Sequence, residues 1–516
     1  MNLRNIVIGI MNRLSNYAAQ ENQNQPLSAD ARKERETNAV AELMDKLKME
    51  DDPVPKSPNG RSVDEATPED PKVDGELTTV SSTTAVHRLD SSVEESSKGS
   101  TQRQDGQEAS GTAITNIRLF DIFFSEVAHL INSQKLVIED QMALLVALAN
   151  LSLNTYPDRL DYLNQVLGFA GQIAIHNANE PDLHSPRTQA HVLALLNAPV
   201  NAFVSIFTVL ALPNFVILLK AQPYSTRKAV AIQFAQTIVA SQTRISTAKN
   251  LEGMLGILQV LIQDGGAPPI QPHRALPMKQ PAESEASVEG RIYLAKIIHL
   301  IHSDDNDLQL KLLQIARKAF TDGNERTRFT TPALVTAYLK LARRLKSSQP
   351  ISPNPPPRDE DDGLPSQQHS ASSQLWRQIL SLLSNLYAGV SSTADLCLRL
   401  YLSCAQVADQ CGNEEVSYEC FAQAFTIYEE AISDSRAQFQ AVCCIAGALH
   451  TTRSFSRENY DTLITKCALH GSKLLKKPDQ CQAVYLASHL WWGVEIGVGR
   501  EESEEKDVRK SLPISG

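Results

Sequence analysis

The side chains that could do chemistry in this sequence are few and scattered. His299 and His302 lie three residues apart near the end of an apolar segment, a helical spacing that can turn two imidazoles toward one metal ion. No third ligand is evident nearby, so the pair is more typical of ordinary satisfied or exposed histidines. The run Ser303–Asp307 resembles the start of a calcium loop, but the glycine and the closing glutamate of such a loop are missing. We expect these acids to cap the following helix instead.

The cysteines form a second candidate cluster. All eight lie between Cys397 and Cys481, and Cys397, Cys404 and Cys411 recur every seven residues, along one face of a helix. No C-x-x-C pair gives the spacing of a zinc site, and no secretory context supports disulfides. The spacing therefore favours small, buried apolar side chains over a reactive thiol cluster, and the composition indicates a reducing, cytosolic compartment.

Catalytic patterns are absent from the sequence, which holds no G-x-S-x-G, H-E-x-x-H, Walker loop or G-x-G-x-x-G. We predict no catalytic, cofactor-binding or metal site, no cofactor and no enzymatic activity. Lys473, Lys476 and Lys477 could bind phosphate, but cations before a proline are typical of a helix end. The pair Trp491–Trp492 could anchor a partner, although packing against a neighbouring helix is favoured. The partner-binding residues remain unassigned.

The composition describes a water-soluble, helix-rich chain. It has 516 residues, a mean hydropathy of -0.24 and only 6% aromatic residues, which argues against an all-β protein. The net charge of -10 leaves no basic surplus for phosphates, so we expect no nucleic-acid partner. Residues 31–110 carry 18 acidic and 11 basic side chains and no Phe, Trp, Tyr, Ile or Cys. Such sequence buries little apolar surface, so residues 21–115 are predicted to be a disordered acidic insert.

Outside this insert, apolar residues recur at helical spacing with short breaks. The pattern predicts an isolated helix at 1–20 and helical blocks at 116–264, 288–346 and 373–498. Pro-rich linkers are expected at 265–287 and 347–372, and a charged tail at 499–516. Thr331 and Pro332 are predicted to open a helix, as N-cap and first helical residue.

One apolar window could be read as a membrane span. Residues 202–219 are almost wholly apolar, but Pro213 and Asn214 divide them, Pro199 precedes them, and neither flank is basic. The pattern favours two short buried helices, one of them starting near Val200. Successive helices with short connections predict an all-α fold, a HEAT-like α-solenoid of stacked antiparallel helix pairs with long disordered insertions.

Four segments carry a family resemblance. They are YPDRLDY at 156–162, RFTTPAL at 328–334, ISDSRAQ at 432–438 and KLLKKPDQ at 473–480. In this order they resemble the vacuolar protein sorting-associated protein 35 family, the large α-solenoid subunit of retromer, and the likeness extends over about 1–20 and 116–498.

The resemblance implies a non-enzymatic scaffold in endosome-to-Golgi and endosome-to-plasma-membrane protein transport. It implies a place in the cytosol and on the cytosolic face of endosomes, reached only indirectly, and cargo receptor tails as partners. The C-terminal half of the family wraps the metallophosphoesterase-fold subunit, vacuolar protein sorting-associated protein 29. The N-terminal end of the family binds the arrestin-like subunit, vacuolar protein sorting-associated protein 26, through a PRLYLM-type motif.

This sequence departs from the family pattern at both ends. It contains no PRLYLM-like stretch, and residue 1 aligns with the middle of the family. After Trp492 the family continues with further helices, whereas this chain becomes a charged tail. We therefore expect a fragment that lacks the site for the arrestin-like subunit, has an incomplete surface for the other subunit, and self-associates through Trp491–Trp492.

Two other interpretations stay open at the level of sequence. One is an α-solenoid assembly platform or transport receptor unrelated to retromer, which would bind other cargo. The other is an enzyme whose site is built from dispersed residues. That site would need clustered, perturbed ionisable groups in a pocket, and the sequence offers none.

Overall fold

The computed structural model describes residues 3–24, 28–51, 119–134, 136–263, 285–321, 326–348, 367–390 and 393–493. Most of these residues are helical, and a 3-10 turn lies at Pro181–His184. The α-helices described are α1 Leu3–Asn24, α2 Ala29–Asp51, α3 Leu119–Ser133, α4 Ile138–Thr155, α5 Leu160–His176, α6 Pro186–Ala202, α7 Phe207–Leu210, α8 Pro213–Lys220, α9 Tyr224–Ala240, α10 Ala248–Ile262, α11 Glu285–Ile298, α12 Asn306–Phe320, α13 Thr327–Ser347, α14 Gln367–Gly389, α15 Ala394–Gln410, α16 Glu414–Ala431, α17 Ser435–Thr451, α18 Arg457–Ser472 and α19 Lys477–Trp492.

The helices form two layers. Helices α1, α4, α6, α9, α11, α13, α15, α17 and α19 make a first layer, in which each helix packs against the next. Helices α3, α5, α10, α12, α14, α16 and α18 make a second layer by packing on the first-layer helices beside them in the chain, while α7 and α8 bridge α5 and α10. Contacts between successive helix pairs are the defining feature of an α-solenoid, which confirms the predicted fold class.

Helix boundaries follow from local chemistry. Side-chain oxygens accept hydrogen bonds from backbone N–H groups of the first turn at five helix starts, those of α6, α10, α12, α16 and α17. The residues that do so are Ser185, Thr247, Asp305, Asn413 and Asp434. The role of Asp305 confirms that the acidic run at 303–307 caps a helix.

Helix α2 corrects the prediction of disorder for residues 21–115. Residues 29–51 are helical because they are rich in Ala, Glu, Lys, Leu and Met, the strongest helix formers. Ala39 and Leu43, one turn apart, are buried against the stack, where α2 contacts α5 and α7. The low average hydropathy of the segment concealed this pair. Residues 52–118 lie outside the described residues.

Polar contacts also hold α2. The Glu36 carboxylate accepts hydrogen bonds from the backbone N–H of Val204 at 2.7 Å and of Ser205 at 2.9 Å, just before α7. Lys46 donates to Asp161 on α5 at 3.1 Å, and Arg159 donates to the same carboxylate at 2.8 Å. Burial opposes ionisation of Asp161, but these hydrogen bonds outweigh it and lower its pKa. Glu36 and the Lys46–Asp161 ion pair therefore attach α2 to the stack at two points along its length.

Two prolines and the ends of both linkers also differ from prediction. Pro199 lies inside α6, which continues to Ala202, so the predicted helix start at Val200 is wrong. Pro332 lies inside α13 rather than in its first turn, because the helix begins five residues earlier, at Thr327. The linkers predicted at 265–287 and 347–372 end within helices, since α11 begins at Glu285 and α14 at Gln367. The tail at 499–516 lies outside the described residues.

The apolar window at 202–219 is divided among the end of α6, α7 and α8, which begins at Pro213. Among the residues that the structure describes, no helix is long and apolar enough to cross a membrane.

We predict that Leu43→Ala releases α2 without unfolding the stack. Leu43 is only 3% exposed, so its truncation costs about 2–5 kcal/mol, which is large for a helix with few other buried side chains. Hydrogen exchange should show lost protection at 29–51 and unchanged protection in α5. Asn38→Ala, at an exposed position of α2, is the control. Equal protection in both variants would contradict this docking.

Candidate functional site

The histidines and acids singled out in the sequence do not form a metal centre. No group of three or more His, Cys, Asp or Glu side chains in the described ranges is arranged to hold a metal ion. His299 and His302 follow the end of α11, at the edge of the stack, and line a groove there. Asp304 lies 3.7 Å from His302 and 3.0 Å from Arg244, at an exposed position.

Four of the eight cysteines are buried in the core. Cys397 and Cys404 are fully buried in α15, Cys411 caps the end of that helix, and all eight cysteines are free thiols. Burial raises the pKa of Cys397 and of Cys411, which disfavours the nucleophilic thiolate. The expectation of buried apolar side chains is confirmed for Cys397 and Cys404.

The lysine cluster and the tryptophan pair lie at the far end of the stack. Lys473 follows the last residue of α18, as expected for a cation at a helix end. Lys476 precedes α19 and Lys477 is its first residue, so for these two lysines the expected helix end is wrong. Trp491 is 44% and Trp492 88% exposed, at the end of α19. The expected packing of these rings against a neighbouring helix is therefore wrong for this chain.

The surface best suited to bind a partner is a groove on the second layer, between α14, α16 and the start of α18. Its volume is about 730 Å³. Trp376 lines it from α14 and is almost fully buried, while Arg377 beside it is exposed. Tyr418, half-buried, and Glu419, exposed, line it from α16. We refer to this site as the α14–α16 groove.

Two carboxylates fix the end of this groove. Asp409, at the end of α15, accepts hydrogen bonds from the backbone N–H groups of Arg453 and Ser454 at 3.0 and 2.8 Å, and from the Ser454 hydroxyl at 2.7 Å. Glu414, at the start of α16, accepts from the Ser456 N–H at 2.8 Å and from Asn459 Nδ2 at 2.7 Å. These bonds attach the α17–α18 loop to the preceding helix pair.

The pKa of Glu414 reflects the hydrogen bonds that hold the α17–α18 loop. Burial opposes its ionisation, but the hydrogen bonds from Asn459 and Ser456 outweigh that cost and lower its pKa. The carboxylate therefore stays charged in the folded protein. The adjacent Glu415 and Glu419 are exposed and contribute negative charge to the rim, opposite the Arg377 guanidinium.

This arrangement suits protein recognition rather than catalysis. Tryptophan, tyrosine and arginine are the side chains enriched at the centres of protein interfaces, and a charged rim adds orientation. Sequence reasoning missed the groove because its walls come from helices up to 86 positions apart, Ser373 to Asn459. The helical pattern of each segment indicates a scaffold, but no spacing in the sequence predicts that Trp376 and Tyr418 line the same groove.

The fold and this groove define a class of protein, an α-solenoid that presents extended surfaces to other proteins. A family model, vacuolar protein sorting-associated protein 35, matches residues 1–514. The chain therefore belongs to the vacuolar protein sorting-associated protein 35 family, whose members are structural scaffold subunits and not enzymes.

Curated relatives agree with this placement. The chain is 30% identical over 418 residues to vacuolar protein sorting-associated protein 35 of Schizosaccharomyces pombe, covering 80% of this chain and 45% of the relative. It is 34% identical over 354 residues to protein 35B of Arabidopsis thaliana, covering 68% and 41% of the two chains. Protein 35A of the same plant is 33% identical over 350 residues, 67% of this chain and 41% of the relative. The chain thus spans less than half the length of these relatives.

We predict that Glu414→Gln destabilises the loop and removes a pH dependence. The loss should be about 1 kcal/mol, since the carboxylate is partly exposed to solvent. Because the folded pKa is lowered, the carboxylate stabilises the native state above its unfolded pKa, and this contribution is lost as pH falls through the folded pKa.

Thermal melts between neutral and acid pH test this prediction. The difference in Tm between the natural chain and Glu414→Gln should shrink as pH falls below the ordinary carboxyl range. Glu415→Gln, at the neighbouring exposed position, should melt like the natural chain. A constant difference between the natural chain and Glu414→Gln across this pH range would show that the charge of Glu414 has no such role.

Proposed function

We propose that the chain is a scaffold subunit of retromer in endosome-to-Golgi and endosome-to-plasma-membrane protein transport. Its C-terminal helices bind the metallophosphoesterase-fold subunit, vacuolar protein sorting-associated protein 29. Membership of the vacuolar protein sorting-associated protein 35 family supports this role, as does the two-layer stack that continues to α19.

The observation that carries the proposal is the α14–α16 groove. A buried tryptophan, a half-buried tyrosine and an exposed arginine share a concave site of about 730 Å³ on the second layer. A protein partner seated here would exclude water from the half-buried ring of Tyr418 and place an acidic group against Arg377. The carboxylate clamps at Asp409 and Glu414 keep the α17–α18 loop in place, so binding costs little ordering of the chain.

The remaining partners follow from the same role. Cargo receptor tails would be carried by the assembled complex, and the chain would reach the cytosolic face of endosomes through its partners. The arrestin-like subunit, vacuolar protein sorting-associated protein 26, belongs to the complex, but the PRLYLM-type motif for it is absent from this sequence.

Calorimetric titration of the full chain with the metallophosphoesterase-fold subunit tests the proposal. We expect a Kd of about 1 μM or tighter, and a loss of at least about ten-fold in Arg377→Glu, because the reversed charge opposes the docked partner. Arg187→Glu, an equal charge change at an exposed position of α6, should bind as tightly as the natural chain.

Two outcomes would refute the proposal. One is the absence of binding by a chain whose circular dichroism and cooperative melting show that it is folded. The other is equal weakening by Arg377→Glu and Arg187→Glu, which would place the contact away from the α14–α16 groove.

A further inference from the structure

A second groove lies at the edge of the stack, remote from the α14–α16 groove. It encloses about 470 Å³ where the loops after α9 and α11 meet the end of α13. Five of the residues that line it are cationic or can become so, namely Arg244, His299, His302, Lys340 and Arg344. We refer to it as the basic groove.

These side chains come from three segments of the first layer that follow one another along the stack. Arg244 comes from the loop after α9, the two histidines from the loop after α11, and Lys340 and Arg344 from the last turns of α13. Residues far apart in the sequence therefore converge on one site. Cations near helix C-termini are favoured by the helix dipole, which explains one such residue per helix but not their convergence on a concave site.

The Arg344 guanidinium is held in place by the hydrogen bonds that it donates. Its Nε donates to Asn306 Oδ1 at 2.6 Å and its Nη1 to the Ser303 carbonyl at 2.8 Å. Its remaining nitrogen, Nη2, is buried and makes no hydrogen bond. A buried donor without an acceptor costs about 1–3 kcal/mol, so this guanidinium is held in place at a cost in stability.

The charges of the groove are poorly balanced by acids. None of the described residues that line it is Asp or Glu. Asp304, at the rim, is the carboxylate paired with Arg244, and it is 90% exposed. Burial, followed by the charge of Lys340, lowers the pKa of His299, and burial together with Arg244 and Arg344 lowers that of His302. Burial is the larger cause for both histidines and the neighbouring cations add to it, so both imidazoles are held toward the neutral form.

The walls of the groove are rigid. The backbone of Ile245 accepts from His302 N–H and donates to the Leu300 carbonyl, both at 3.0 Å, and so ties the two loops together. Gln309, buried, accepts from Ser303 N–H at 2.6 Å and donates to the Ile301 carbonyl at 3.1 Å. Gln242 on the rim has φ of 49°, a left-handed conformation that costs a non-glycine residue energy and is enriched at functional sites.

We propose that the basic groove binds a small, multiply phosphorylated anion. Several cations around one cavity match a ligand that carries several charges, whereas a single carboxylate would leave most of them unpaired. The volume of about 470 Å³ exceeds that of one phosphate ion and suits a phosphorylated ring or a short polyphosphate. Such phosphates could belong to a soluble anion or to a lipid headgroup.

Calorimetric titration of the full chain with inositol hexakisphosphate tests the proposal. Lys340→Gln removes an exposed cation from the groove and should weaken binding at least about ten-fold, the usual loss for one charged hydrogen bond to phosphate. Lys318→Gln makes the same change at an exposed position of α12 outside the groove and should bind like the natural chain. Neither lysine is buried, so neither variant should unfold the protein.

Co-sedimentation with phosphatidylcholine vesicles that contain phosphatidylinositol bisphosphate distinguishes a lipid headgroup from a soluble anion as the ligand. Vesicle binding that Lys340→Gln abolishes identifies a lipid headgroup, and soluble binding without vesicle binding identifies a free anion. No heat of binding with inositol hexakisphosphate would overturn the proposal. Equal losses in Lys340→Gln and Lys318→Gln would overturn it as well, since they would reveal attraction to overall charge.

Discussion

Burial of each first-layer helix against the next is the interaction on which the rest of the structure depends. Buried side chains from successive helix pairs join one continuous apolar core along the described part of the stack. Each large apolar side chain buried between pairs contributes about 1.5–3 kcal/mol, and the contributions accumulate along the layer. The loops and the outer faces of the helices take no part in this packing. The chemistry specific to this chain is therefore found there.

The two grooves and the α2 helix are held by the same kind of polar contact. Carboxylates and guanidinium groups attach a loop or a helix to an already folded layer, as Glu36 does for α2, Glu414 for the α17–α18 loop and Arg344 for the loop at 303–306. Each of these contacts joins segments that are distant in sequence. They shape concave sites between helix pairs without entering the core, which is how a repetitive scaffold acquires distinct binding surfaces.

The sequence predicted much of this fold, because helical periodicity and capping residues are local signals. The helical blocks at 116–264 and 373–498 follow from their apolar stripes, and the helices at 119–133 and 435–451 lie within them. The helix at 29–51 was missed because its two buried residues, Ala39 and Leu43, are outnumbered by charged ones. The α14–α16 groove could not be predicted, since Trp376 and Tyr418 meet only through tertiary packing. The buried state of Cys397 and Cys404, by contrast, followed directly from their spacing.

Hydrogen exchange of a chain with a broken first-layer contact tests most directly whether stability passes from neighbour to neighbour. Val442 is 1% exposed in α17, a helix that contacts both α15 and α19, and Val442→Asp buries a charge in this helix. We expect lost protection of the backbone amides in α17 and in its neighbours α15, α16, α18 and α19, with protection retained in α4, α5 and α6. Loss of protection throughout the chain at once would contradict this neighbour-to-neighbour stabilisation, because the stack would then fold as a single indivisible unit.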